Sequence, residues 1–328
     1  GGMAQGWRWV WLGLVAACGV LGVGAAAQTK AGGSVTVDLQ KLGLPKETFR
    51  ADYLMSCGND LLTYRAVDWV DAGRVLVAFT ASPLCPTTLA PAVTAVLKLM
   101  TLDAEGKVLH AVNVSYVAGL NTALPHDGVW TMADGRVLVE FPPVPMVTGP
   151  WARGEVRVLS SELEPLQELD LRAGTPGELH LAGLTADGQR AVFWRGTNHY
   201  NNAECVEFAG GPLVEKGTCA AAELDAVEAR AHDAGGFPAA KGEQAESFPG
   251  AARDGSRAST FLTKTETPEC RTQGIDCPTS GTFVVFDTRS KQVLLKTKVS
   301  VLGRMALAPD GKHGAVLDKG RLEIVAVP

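Results

Sequence analysis

Five Asp/Gly turns recur along this chain, each set between two β-prone runs, and they limit the fold more than any other feature. They are Asp71-Ala-Gly-Arg74, Asp134-Gly-Arg136, Asp187-Gly-Gln-Arg190, Asp254-Gly-Ser-Arg257 and Asp310-Gly-Lys-His313. In four of the five the turn is Asp-Gly itself, a dipeptide that tolerates the positive φ of tight hairpins. The turns lie 63, 53, 67 and 56 residues apart. Second hairpins fall between them, at Leu97–Val114, Val156–Leu171 and Thr282–Thr297. Two hairpins per repeat make four antiparallel strands, the blade of a β-propeller. The runs after the first two turns are Val/Leu-rich on both parities, as expected of strands buried on both faces.

This pattern predicts an all-β, propeller-like chain of five to seven four-stranded antiparallel blades. Five markers set the minimum, and the interval between Asp187 and Asp254 has room for a sixth blade. The last repeat stops after three strands because the chain ends at Pro328. Ser34-Val-Thr-Val-Asp-Leu39 is strand-like and is expected to supply the fourth, which would remove free sheet edges. Local propensity predicts one helix over 220–233, with Leu224, Val227 and Ala231 at helical spacing, against the degenerate blade strand that the propeller plan would prefer there. Gly235–Gly255, rich in Gly, Ala, Glu and Lys, reads as a long mobile loop.

Met305-Ala-Leu-Ala-Pro-Asp-Gly-Lys-His-Gly-Ala-Val-Leu317 resembles the "SPDG" repeat of TolB-like propellers. With the Phe286-Asp-Thr-Arg-Ser-Lys hairpin, the cysteine pairs and the final Gly320–Val327 strand, the chain resembles a group of exported acidobacterial propeller-like proteins. That resemblance implies a fold and export. It transfers no active site.

The N-terminus supports export independently. Arg8 precedes an apolar run of about 16 residues, Trp9–Gly24, and Ala25-Ala26-Ala27 supplies small residues for cleavage before Gln28. The run is shorter than the ~20 residues a spanning helix needs. The expected organisation is a signal peptide over 1–27 and a single propeller-like domain over 28–328. Cleavage removes one positive charge, Arg8, so the formal net charge moves from −5 to −6. Val15-Ala16-Ala17-Cys18 also resembles a lipobox, in which Cys18 would carry lipid.

Setting Cys18 aside leaves Cys57, Cys85, Cys205, Cys219, Cys270 and Cys277, an even set that suits an oxidising compartment. The sequential pairing Cys57–Cys85, Cys205–Cys219 and Cys270–Cys277 is favoured for a chain of consecutive hairpin modules. A zinc site from the last four is disfavoured, because the spacings lack the close pairs of zinc ribbons.

Sequence spacing supplies no catalytic, cofactor or metal set. There is no nucleophile elbow, zinc-binding helix, phosphate loop, dinucleotide loop or calcium loop. His110, His126, His180, His199, His232 and His313 stand singly and read as loop histidines near turns. The turn aspartates read as turn-stabilising acceptors before metal ligands. Asn113-Val-Ser115 fits a glycosylation sequon and reads as an accidental match. His199-Tyr200-Asn201-Asn202 is the densest polar cluster and could present side chains at a propeller rim. A mildly acidic chain without a basic stripe argues against nucleic acid. The content of 46% apolar residues argues against disorder.

The resulting expectation is an exported, non-enzymatic binding or scaffolding protein with a protein or small-molecule partner. It has no cofactor and no membrane span after cleavage. The alternatives are a propeller hydrolase or lyase with its site at the central channel, and an envelope-assembly lipoprotein anchored through Cys18.

Overall fold

A computed structural model describes residues 28–30, 33–49, 64–81, 92–119, 128–142, 154–171, 177–196, 204–232, 236–246, 250–267, 270 and 277–328. These residues form five antiparallel sheets that follow one another along the chain. Blade 1 comprises Arg65–Asp71, Arg74–Thr80, Ala92–Asp103 and Val108–Gly119. Blade 2 comprises Val129–Thr131, Val137–Phe141, Glu155–Leu159 and Pro165–Asp170. Blade 3 comprises Leu179–Leu184, Ala191–Arg195, Glu204–Ala209 and Val214–Thr218. Blade 4 comprises Glu243–Glu246, Arg257–Lys264, Ser280–Asp287 and Val293–Ser300. Blade 5 comprises Arg304–Leu307, His313–Asp318 and Arg321–Ala326, then Ser34–Asp38 from the other end of the chain. Gln28–Lys30 adds a short outer strand there.

First strands meet first strands where blade 1 adjoins blades 5 and 2. Trp69 Nε1 of blade 1 donates to the Ala306 carbonyl of blade 5 at 3.4 Å. The first strands of blades 1 and 2 also touch. The first strand of each blade is therefore the inner one, and the described residues form five blades of a β-propeller. Ser34–Asp38 pairs in antiparallel register with Arg321–Val325, the expected closure. It is fixed by burial: Val37, Leu39 and Leu44 enter the same apolar cluster as Trp69, Phe79, Leu317 and Ile324.

The five sequence turns each join an inner strand to its neighbour, one per blade. Each aspartate accepts the amide two residues on. Asp71 Oδ1 takes Gly73 N at 2.9 Å and Asp134 takes Arg136 N at 3.1 Å. Asp187 takes Gln189 N at 3.0 Å, and Asp254 and Asp310 take Ser256 N and Lys312 N at 2.9 Å. The arginine after the turn then reaches onward. Arg74 meets the Ser161 carbonyl of blade 2 and Arg136 the Gly210 carbonyl of blade 3. Arg257 meets the Gly311 carbonyl of blade 5.

Shared apolar clusters fill the seams between blades 1 and 2, 2 and 3, 4 and 5, and 5 and 1. Among the described residues no such cluster spans blades 3 and 4. Helix α1 (Ala221–His232) instead covers that face of blade 3, with Leu224 and Val227 against Ala182, Val192 and Cys205. Blade 4 presents a separate cluster around Phe237 and Phe286. The long interval after Asp187 thus holds a helix, and no sixth four-stranded sheet occurs among the described residues. The loop expected over Gly235–Gly255 is corrected: Glu243–Glu246 pairs with Phe261–Lys264, and Ala251 bridges Ala258. Its small and polar residues hide a strand because Leu262 and Phe286 supply the apolar surface it leans on.

Blade 4 also contains a strict glycine. A Cβ on Gly281 would lie 2.5 Å from the Leu262 carbonyl oxygen and 2.5 Å from Phe261 Cζ. The backbone atom cannot yield without breaking the ladder. Gly281→Ala should cost about 3 kcal/mol, read as a lowered urea midpoint with unchanged slope.

Candidate functional site

The two ends of the propeller differ. One end carries the Asp/Gly turns and the compact outer hairpins 104–107, 160–164, 210–213 and 288–292. The other carries the opposite ends of the same strands, among them Phe141, Glu155, Leu179, Arg195 and Glu204, and the short turns 301–303 and 319–320. At the first end the backbone is committed to turns and to ties between blades. At the second, polar side chains gather on the strand ends.

Glu140 lies there, at the end of the second strand of blade 2. Its neighbours Val139 and Phe141 face blade 1, so its side chain takes the face toward blade 3. Glu140 is 2% exposed. One carboxyl oxygen accepts the Leu181 amide from the inner strand of blade 3 at 3.4 Å, and the other has no hydrogen-bond partner among the described residues. Burial pushes its pKa up to about 8, with the Leu181 amide pulling weakly the other way. Near neutral pH it holds its proton. The Tyr64 hydroxyl donates to the Glu140 carbonyl, and burial raises the pKa of that phenol far above the ordinary value. Tyr116 and Thr80 share a hydrogen bond of 2.9 Å beside it.

Asp68, on the inner strand of blade 1, repeats the theme. Its residue surface is partly open, but neighbours crowd its carboxyl, and desolvation lifts the pKa to about 6 against the Trp69 and Thr131 hydrogen bonds. Inner strands have one unpaired edge, whose amides need acceptors. Glu140 meets the Leu181 amide and Asp68 meets the Trp69 amide at 2.8 Å.

Blade 3 adds a second group. His180 Nε2 lies 3.2 Å from Glu178 Oε1, and the His180 ring stacks on Trp194 with centroids 3.8 Å apart. Arg195 pairs with Glu204 at the same strand ends and also reaches Glu215 on the outer strand. The reading of the histidines as isolated loop residues is corrected here, because His180 sits on a strand two residues from Glu178 and opposite Trp194 in register. Strand alternation places i and i+2 on one face, a spacing the sequence did carry. His313 is likewise at a strand start, near the Trp69 ring. His110 lies on the outer strand of blade 1, as does Asn113 of the sequon.

The Cys205–Cys219 and Cys270–Cys277 disulfides are both formed. That removes the zinc reading of these four cysteines. Cys18, Cys57, Cys85, His126 and the His199-Tyr200-Asn201-Asn202 cluster lie outside the described residues. The chain leaves the described strand at Gly196, two residues past Trp194, and returns at Glu204. Sequence reasoning missed Glu140. Its signal was a single carboxylate between Val139 and Phe141 in a run apolar on both parities. No group of three or more metal-ligating side chains occurs among the described residues.

Five four-stranded blades closed by an N-terminal strand define a β-propeller. No family model and no curated protein matches the chain. Solved structures similar to it include the β-propeller domain of the trilobed protease from Pyrococcus furiosus, at 9% identity and a TM-score of 0.27 over 78% of this chain and 63% of that one. Prolyl oligopeptidase B from Galerina marginata aligns at 8% identity and a TM-score of 0.37, covering 85% of this chain and 41% of that one. An oligogalacturonate lyase in complex with manganese aligns at 11% identity and a TM-score of 0.30, covering 82% and 66%. This chain therefore spans less than two thirds of each of these three proteins.

Proposed function

We propose that this is an exported binding or scaffolding protein that takes its ligand at the loop-bearing end of the propeller. The observation that carries this reading is the difference between the two ends. Turns tied blade to blade occupy one end, and the polar strand ends of blades 2 and 3 lie at the other. Rigid scaffolds place recognition on the segments that leave such strand ends. Two disulfides suit an oxidising compartment, and the N-terminal sequence supplies an export signal. Among the described residues no helix is long and apolar enough to cross a membrane.

The test uses the secreted chain immobilised against an envelope extract, with retained components identified by mass. Replacing His199-Tyr200-Asn201-Asn202 with glycines should lower retention at least tenfold. Lys312→Ala, at the turn end, should leave it unchanged. Equal loss in both variants, or no loss in either, would remove the loop end as the binding face. The intact mass of the same sample distinguishes cleavage after Ala27 from lipid on Cys18.

A propeller enzyme is the second reading, and Glu140 is the observation in its favour. A buried acid that keeps its proton near neutral pH is suited to general acid chemistry. In that case Glu140→Gln abolishes turnover of a retained component while retention survives.

A further inference from the structure

We propose that helix α1 is a releasable cover on the face of blade 3 turned away from blade 2, latched by the Cys205–Cys219 disulfide. Elsewhere the seams of the ring are closed by apolar clusters shared between blades. On blade 3 the corresponding apolar face is covered by α1, and no cluster shared with blade 4 occurs there among the described residues. The helix begins two residues after Cys219, and Cys205 lies in the same buried cluster as Leu224 and Val227. The bridge therefore pins the start of α1 to the surface it covers.

The Cys219 amide also donates to the Cys205 carbonyl at 2.9 Å, at the same point as the bridge. A twelve-residue helix is marginal by itself in water. Its buried anchors among the described side chains are Leu224 and Val227. Its polar tie is Glu223 to Arg190 at 2.8 Å. Arg190 occupies the position after the Asp/Gly turn from which Arg74, Arg136 and Arg257 reach the next blade. In blade 3 that arm grips the helix instead. Gly183 completes the seat: a Cβ there would lie 2.8 Å from Val227 Cγ1 and 2.9 Å from the Trp130 ring, so glycine makes room for the helix.

Release requires a dithiol reductant. Its thiolate attacks Cys219 Sγ, since Cys219 is part-exposed while Cys205 is 4% exposed. The Cys205–Cys219 bond breaks and Cys205 leaves as thiolate. The second thiol of the reductant then displaces Cys219 and closes its own disulfide, and two protons complete the two thiols. Release of α1 uncovers Ala182, Val192 and Trp194 on blade 3.

The experiment is amide hydrogen exchange on the full chain with and without dithiothreitol, with thiol labelling to confirm which bridges are open. Residues 221–232 should exchange at least tenfold faster once Cys205–Cys219 is reduced, while blade 1 and blade 2 amides keep their rates. A Cys270→Ser/Cys277→Ser variant should respond in the same way. A Cys205→Ser/Cys219→Ser variant should exchange fast without reductant. Val227→Ala with the bridge intact should accelerate α1 less than reduction does. Unchanged protection of α1 after full reduction overturns the proposal, as does joint loss of α1 and the blade 3 strands. A larger effect from Val227→Ala than from reduction would also overturn it, since packing would then be the latch. Failure of the ligand-retention test above leaves these outcomes untouched, because none of them involves a ligand.

Discussion

Replacing Glu140 with glutamine should make the protein more stable at pH 8 and leave it almost unchanged at pH 4. The folded chain holds the Glu140 proton up to about 8, whereas an unburied glutamate releases it near its ordinary value of 4.5. Between those two values the unfolded chain binds fewer protons than the folded one, so stability falls as pH rises. The contribution is complete below the lower value and lost above the upper one. Water entering beside an ionised Glu140 would soften the penalty, leaving a difference of about 3 kcal/mol at pH 8. Glutamine is the right replacement because its carbonyl still accepts the Leu181 amide without charge. Asp68, raised to about 6, acts with the same sign over a lower window. The turn aspartates oppose this at the acid end: hydrogen bonds from Thr185 to Asp187, from Ser256 to Asp254 and from Ser290 to Asp287 hold those carboxyls below the usual range. Their support is lost as pH falls through those lowered values. The parent chain should therefore be most stable in mildly acidic solution. Urea midpoints at pH 4, 6 and 8 on parent and Glu140→Gln test this. Parallel pH curves for the two proteins would rule out a buried proton at Glu140.

The blade plan was legible in the sequence because its signal is local. An aspartate that accepts the amide two residues on leaves its mark in adjacent residues, and every one of the five turns does so. Strand closure was legible for a similar reason. Ser34–Asp38 has β-prone residues and the final repeat lacks a strand to match. The inner strand of blade 4 was not legible, because it is recognisable only through Leu262 and Phe286 on other strands.

The candidate site was less legible still. Glu140 and the Leu181 amide lie 41 positions apart and meet only because blade 2 abuts blade 3. Glu178 and His180 were close enough to be seen, yet their value depends on Trp194 across the ladder. Disulfides fell between these extremes. Cys205 and Cys219 flank a hairpin turn, so sequential pairing brought them together, and the same logic reached Cys270 and Cys277. The placement of Arg190 against Glu223 shows how a local motif can be diverted. A turn-following arginine elsewhere serves the next blade, and here the next packed element is a helix.

Removing residues 28–44 should open the ring and nearly abolish folding. Val37 and Leu39 are fully buried and Leu44 almost so, all against blades 5 and 1. At about 2 kcal/mol for each such side chain, burial alone contributes roughly 6 kcal/mol. The strand also pairs the exposed edge left by Arg321–Ala326, and the Leu39 amide donates to the Gly320 carbonyl at 3.0 Å. Domains are commonly stable by about 5–15 kcal/mol, so a loss of this size leaves little. The truncated chain should melt at least 15 °C lower, since about 1 kcal/mol moves the midpoint of a large domain by a few degrees, and its bare edge should promote aggregation. Val37→Asp separates the two effects. It keeps the ladder but buries a charge beside Leu322 and Ile324, so it should destabilise strongly without exposing an edge. Adding a peptide of residues 28–44 to the truncated chain should restore much of the lost melting temperature, as a strand supplied from outside completes blade 5. Normal melting of the truncated chain would mean that the ring is held by its other seams, and that Ser34–Asp38 only decorates the outer edge.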